Sequence, residues 1–194
     1  LYRQAIDIAV KNEGPNSVGV AVLTNNIAEA QRQQNRYADA EKGFKRALEL
    51  AEKSSGANSL PVALILNNMT KLYEDQSRFA ECEAASKRAL EIREKALGPT
   101  HPAVAASLNN LAHVYERLGR YQEATQIYLR AIAIWDSKVG AQHPDFATSL
   151  LNLASVYADE DRFDEAEALY QRSLAIRQAV FGPNHASVGT VLNN

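Results

Sequence analysis

The chain has 194 residues, 46% of them hydrophobic and 23% charged, a globular composition and not a disordered one. Lys and Arg number 21 against 23 Asp and Glu, a net charge of -2; nucleic acid is excluded as the expected partner, because binding a phosphate backbone calls for a basic excess. No apolar run approaches the roughly 18 residues of a membrane span, and the single cysteine, Cys82, allows neither an intrachain disulfide nor a multi-cysteine metal site.

Along the chain, glycine recurs at Gly14, Gly56, Gly98, Gly140 and Gly182, a period of 42. A fixed period of this size marks a repeat architecture. Residues 1–13 are a partial repeat, with Tyr2 in the place of Tyr170. Full repeats follow at 14–55, 56–97, 98–139 and 140–181, and 182–194 begins another with Leu192, Asn193 and Asn194 in register with Leu108, Asn109 and Asn110. The whole of 1–194 reads as one repeat domain.

Each repeat predicts two helices. Ser17 and Ser59 open the first helix of their repeats as N-cap residues. In repeat 98–139, Gly98-Pro99 breaks the chain, His101 takes the cap position and Pro102 the first turn. Leu108, Leu111, Ala112 and Tyr115 then recur at i, i+3, i+4 and i+7, the buried face of a helix. Gly119 ends that helix. A second helix from about Tyr121 to Lys138 carries Ala124, Tyr128, Ala131, Ile132 and Trp135 on one face. Short loops make the two helices antiparallel. A single hairpin cannot bury its apolar face alone, whereas stacked hairpins can, so the fold predicted is all-α, an α-solenoid.

The run Leu108-x2-Leu111-Ala112-x2-Tyr115, followed by Gly119, Tyr121, Ala124 and Tyr128, resembles the tetratricopeptide repeat. The 42-residue period, Gly-Pro-x-His-Pro before the first helix and Leu-Asn-Asn-Leu-Ala within it resemble the repeats of kinesin light chains. The resemblance covers the whole chain and implies a right-handed superhelix. It also implies a protein-binding module, an adaptor or scaffold within a longer protein. Gln31 and Asn35 in repeat 14–55, and Ser77, Cys82 and Ser86 in repeat 56–97, depart from the pattern, so looser packing is expected in the first two hairpins.

On a helical wheel the residues flanking the core direction of the first helix form the groove floor of such a solenoid. Asparagine recurs there on two rungs: Asn25, Asn67, Asn109, Leu151 and Asn193, then Asn26, Asn68, Asn110, Asn152 and Asn194. Asn costs about 0.6 kcal/mol against Ala inside a helix, so the series wants a cause. A carboxamide donates and accepts, which suits a peptide unit of a partner. By resemblance to kinesin light chains, Asn67 and Asn109, with Asn25, would contact the backbone of an extended segment. The alternative is that these side chains bond between repeats and hold the stack, which fits the unbroken second rung better. The expected groove therefore comprises Asn25, Asn67, Asn109, Asn110, His113, Glu116, Arg117, Lys71, Leu151 and Asn152.

His101, His143 and His185 sit one repeat apart, too far to converge on one metal ion, and are expected to cap helices. Cys82 occupies a small core position matched by Ala40, Ala124 and Ala166, and Trp135 is expected to fill the core near an exposed end. Phosphate loops and catalytic motifs are missing, so no enzyme, cofactor or metal is expected. The expected function is binding of an extended or short helical peptide of a protein partner. The rival is a structural scaffold that self-associates end to end or through the groove. The chain opens inside a second helix and closes inside a first, without capping helices, which predicts a fragment of a longer array. A lone thiol fits a reducing, cytoplasmic setting.

Overall fold

The computed structural model describes residues 2–140 and 142–193, with side chains from residue 4 onward. Leu1, Asn194 and the side chain of Tyr2, all named above, lie outside the described residues. Among the described residues there are ten α-helices and no strand. They are α1 (Tyr2–Glu13), α2 (Val18–Gln33), α3 (Tyr37–Ser55), α4 (Leu60–Asp75), α5 (Phe79–Leu97), α6 (Pro102–Arg117), α7 (Tyr121–Lys138), α8 (Pro144–Asp159), α9 (Phe163–Phe181) and α10 (Ala186–Leu192). The expected second helix from Tyr121 to Lys138 is α7. Where the sequence reads as one array, the chain forms two compact units, Leu1–Ala96 and Leu97–Asn194. A hairpin in a repeat array touches only its neighbours, so a division falls naturally at a repeat boundary.

In the first unit α2 packs on α3 and α3 on α4, while α2 also reaches α4. The core is Phe44, Leu50, Ile65 and Leu72, each at most 1% exposed. Gly43 on α3 faces Ala28 on α2 so closely that a Cβ there would lie 2.8 Å from the Ala28 Cβ. The looser packing expected of the early hairpins is therefore not met at this contact. In repeat 56–97, Thr70 Oγ1 and Ser86 Oγ share a buried hydrogen bond of 3.2 Å, and Cys82 Sγ lies 3.1 Å from the Thr70 carbonyl oxygen. Ser59 holds the N-cap backbone conformation, but its side chain makes no capping bond and its Oγ is buried without a partner.

In the second unit α6, α7, α8, α9 and α10 pack in succession, and α6 also touches α8. Leu108, Tyr128, Phe146, Leu150 and Leu153 form its core. His101, His143 and His185 each accept a backbone N–H through Nδ1, from Ala103, Asp145 and Ser187 at 3.1, 3.2 and 3.1 Å. These are the expected caps. Gly119 closes α6 at φ 71°, and Asn35, Ser77 and Asp161 take the same left-handed turn in the other repeats at φ 59°, 56° and 60°.

Candidate functional site

Because α6 and α8 are adjacent and face the same way, their floor residues line one cleft of about 330 Å³. Asn109, Asn110 and His113 come from α6, and Asn152 from α8, all four expected at the groove. Trp135 from α7 and Asp145 from the first turn of α8 complete the wall. Trp135 fills the core as expected, at 3% exposure, but its place on the cleft depends on how α7 leans on α6. The signal available in the sequence was its substitution pattern: the matching positions hold Ala51, Arg93 and Arg177.

The hydrogen bonding of this wall is incomplete. Asn109 Nδ2 donates to Ser149 Oγ across the two first helices at 2.6 Å. Asn109 Oδ1 is buried and accepts nothing, and the buried indole N–H of Trp135 finds no acceptor. Leaving a buried polar atom unsatisfied costs about 1–3 kcal/mol. The Trp135 ring stacks on His143, with centroids 5.2 Å apart and planes within 7°. His113 Nδ1 lies 3.3 Å from Glu116 Oε2, which also accepts the Tyr128 hydroxyl at 3.1 Å. Glu116 is thus engaged inside its own hairpin. Arg117 is exposed in the last turn of α6, and Leu151 is buried at 8% exposure instead of lying open as an apolar floor.

In the first unit the asparagines are differently used. Asn25 is 2% exposed, and its Oδ1 accepts from Asn68 Nδ2 on the next first helix at 3.0 Å. Asn67 is 8% exposed, and with its amide oriented by its neighbours its oxygen accepts from Arg93 Nη1 and Nη2 at 2.6 and 2.8 Å. In this unit both rungs enter internal bonds, and the first is the more buried. Lys71 is exposed on α4 and helps to hold the Glu29 carboxyl below its usual range, an effect owed chiefly to the Arg32 hydrogen bond.

A second series escaped the sequence reading. Arg78, Arg120 and Arg162 follow the ends of first helices and lie over Tyr73, Tyr115 and Tyr157, 4.5, 4.1 and 3.9 Å from the ring centroids. The 42-residue spacing of Arg and Tyr was the visible signal. These contacts fix the turn of each hairpin. Among the described residues no three His, Cys, Asp or Glu side chains are grouped to hold a metal ion, and no helix is long and apolar enough to cross a membrane.

A family model described as the tetratricopeptide repeat matches residues 1–53, 61–137 and 145–194. No curated protein matches the chain. The crystal structure of BtubC (BKLC) from P. vanneervenii is similar over 99% of this chain and 79% of that one, with a TM-score of 0.81 and 20% identity. A putative kinesin light chain from Podosopora anserina, built of nearly identical TPR-like repeats, is similar over 87% of this chain and 80% of that one, with a TM-score of 0.72 and 21% identity. Likeness at these identities shows a shared fold, the all-α repeat of stacked helix hairpins.

Proposed function

The chain belongs to the tetratricopeptide repeat family, in general a family of protein-interaction scaffolds, and from that premise we propose that its second unit binds an extended segment of a protein partner in the cleft between α6 and α8. One observation carries this reading: a buried acceptor, Asn109 Oδ1, and a buried donor, Trp135 Nε1, stand without partners on the wall of the same cleft. A polypeptide supplies both missing kinds of group, an N–H and a carbonyl. On binding, the carboxamide and the indole turn toward the segment and the unsatisfied pair is relieved. Asn110, His113 and Asn152 border the segment, and each added hydrogen bond contributes about 0.5–1.5 kcal/mol net. Affinity then builds from several weak contacts. Catalysis has no part in this reading, and the fold is in general non-enzymatic. A reducing, cytoplasmic setting goes with it, since the single cysteine builds no disulfide.

For the first unit the Asn68–Asn25 bond favours a different use of the same ladder. There we propose that the asparagines hold neighbouring first helices together, with Lys71 at the exposed surface. Self-association through the cleft would compete with peptide, and sedimentation with and without peptide separates the two.

Trp135 is the only tryptophan, so its fluorescence reports on the cleft directly. The test titrates the protein with ten-residue peptide pools of degenerate sequence. A saturable change in emission is expected, with binding weakened about five-fold or more, or about 1 kcal/mol, by Asn109→Leu, the residue that position 151 carries naturally. Unchanged binding in a folded variant would sink the role of Asn109, and no response from any pool would sink the cleft as a peptide site.

A further inference from the structure

The repeats preserve a geometric comparison that bears on what enters the cleft. In repeat 56–97 the carboxamide oxygen of Asn67 is filled by a guanidinium, that of Arg93, through two N–H groups. One repeat later the asparagine is kept as Asn109, but the residue in the place of Arg93 is Trp135. The indole has one donor, and that donor does not reach Asn109. Asn109 Oδ1 therefore lacks the cation that its counterpart holds. In repeat 140–181 the matching arginine returns as Arg177 and the asparagine is lost to Leu151, so the combination of unpartnered carboxamide oxygen and missing guanidinium occurs in repeat 98–139.

A carboxylate stands on the opposite wall. Asp145 is 59% exposed at its side chain, and its Oδ2 lies 3.9 Å from His143 Nδ1. That nitrogen also accepts the Asp145 backbone N–H at 3.2 Å. His113, the other titratable group on the wall, leans on Glu116 at 3.3 Å. The surrounding unit, residues 97–194, has seven Lys and Arg against ten Asp and Glu, a net charge of -3. Arg177 on α9 already donates through Nη2 to Thr148 Oγ1 on this cleft at 3.2 Å, so the attraction for a further cationic group lies at Asp145 itself.

We infer that the cleft receives an arginine side chain of the partner segment, whose guanidinium serves the Asn109 carboxamide from the cleft side, because the place that Arg93 takes beside Asn67 is filled here by Trp135. This rests on the peptide-binding reading above. A guanidinium is planar and presents five donors in a fixed fork, so one edge serves the carboxamide oxygen while the other donors turn to the Asp145 carboxylate. A lysine ammonium is a compact, strongly hydrated charge that lacks this fork. The indole N–H of Trp135 is then left for a main-chain carbonyl of the same segment.

The experiment uses four decapeptide pools with identical degenerate flanks and a central Arg, Lys, Ala or Glu, titrated by Trp135 emission. The Arg pool should bind about five-fold or more tighter than the Ala pool, about 1 kcal/mol of preference, with Lys between them and Glu weakest. Asp145→Asn should cut the Arg-over-Ala ratio to below about two-fold, as should raising salt from about 0.05 M to about 0.5 M in the unmodified protein, because the contact is screened. The salt series keeps the test decisive if the variant does not fold. Equal binding of the Arg and Ala pools, or of Arg and Lys, would overturn the arginine assignment while leaving a main-chain peptide site standing. Silence from all four pools would overturn both.

Discussion

Arg78, at the start of α5, holds the carboxylate of Glu41 on α3 with Nη1 2.8 Å from Oε2. Its guanidinium also lies over the Tyr73 ring and reaches Glu81 in its own helix. One arginine thus closes its hairpin turn and ties two successive second helices. In the second unit Thr125 stands where Glu41 stands, with its Oγ1 buried and unpartnered, and Arg162 turns to Glu160 and Glu165 instead. At Arg162 the inter-helix tie is thus replaced by contacts within its own hairpin, because the facing residue is Thr125.

That tie predicts an acid-sensitive stability increment. Hydrogen bonds from Arg78, and then from Lys45, lower the Glu41 carboxyl from an ordinary value near 4.5 to about 2. The folded value lies below the unfolded one, so the contribution is fully present above the unfolded value and is lost as pH falls toward 2. Glu41→Gln should lower stability by about 1 kcal/mol at neutral pH, the scale of a partly exposed pair. The gap between wild type and variant should close across that acid window in urea unfolding at several pH values. A gap that stays constant to pH 2 would refute the linkage.

The left-handed turn after each first helix offers a second prediction. A non-glycine residue in that region costs roughly 1–2 kcal/mol, less for Asn and Asp, and Ser77 is the least suited of those present. Ser77→Gly should raise stability by about 0.5–1 kcal/mol, Asn35→Gly should change little, and Gly119→Ala should lower it by about 1–2 kcal/mol. Calorimetric melting of the three variants checks the order.

The histidine caps can be separated from a metal site by substitution. Removing a capping acceptor costs about 1 kcal/mol, so His101→Ala and His143→Ala should each destabilise by about that amount, while His101→Asn should largely restore the cap. A chelator should leave the melting temperature of the unmodified protein unchanged. A chelator-induced drop would show that these rings hold an ion and not a backbone N–H.

Cys82 should behave as an inert core residue. Burial pushes its thiol up to about 12, and attack on disulfide reagents needs the thiolate. Labelling of the native protein at pH 8 should track global unfolding, and Cys82→Ala, the residue of three other repeats, should cost less than about 1 kcal/mol. Fast labelling without unfolding would contradict the buried, protonated thiol.

Periodicity made the helices legible, because the 42-residue spacing and the i, i+3, i+4 pattern act along one helix and need no knowledge of its neighbours. The same holds for His101, whose capping bond reaches two residues along the chain. Neither the state of the asparagine ladder nor the unpartnered polar atoms beside the cleft could be read that way. Asn67 and Asn109 are identical in type and register, yet one is satisfied by Arg93 and the other is not. The difference lies in which second-helix residue packs behind them, and that depends on contacts between helices. Sequence by itself determined the repeat, its hairpins, its histidine caps and the residues that face the floor, since these follow from local backbone sterics and hydrophobic period. Only the tertiary structure decided which of those residues are buried, which bond to one another and which stand unpartnered, because burial and hydrogen-bond satisfaction are set by the neighbouring helix and not by the chain's own turn.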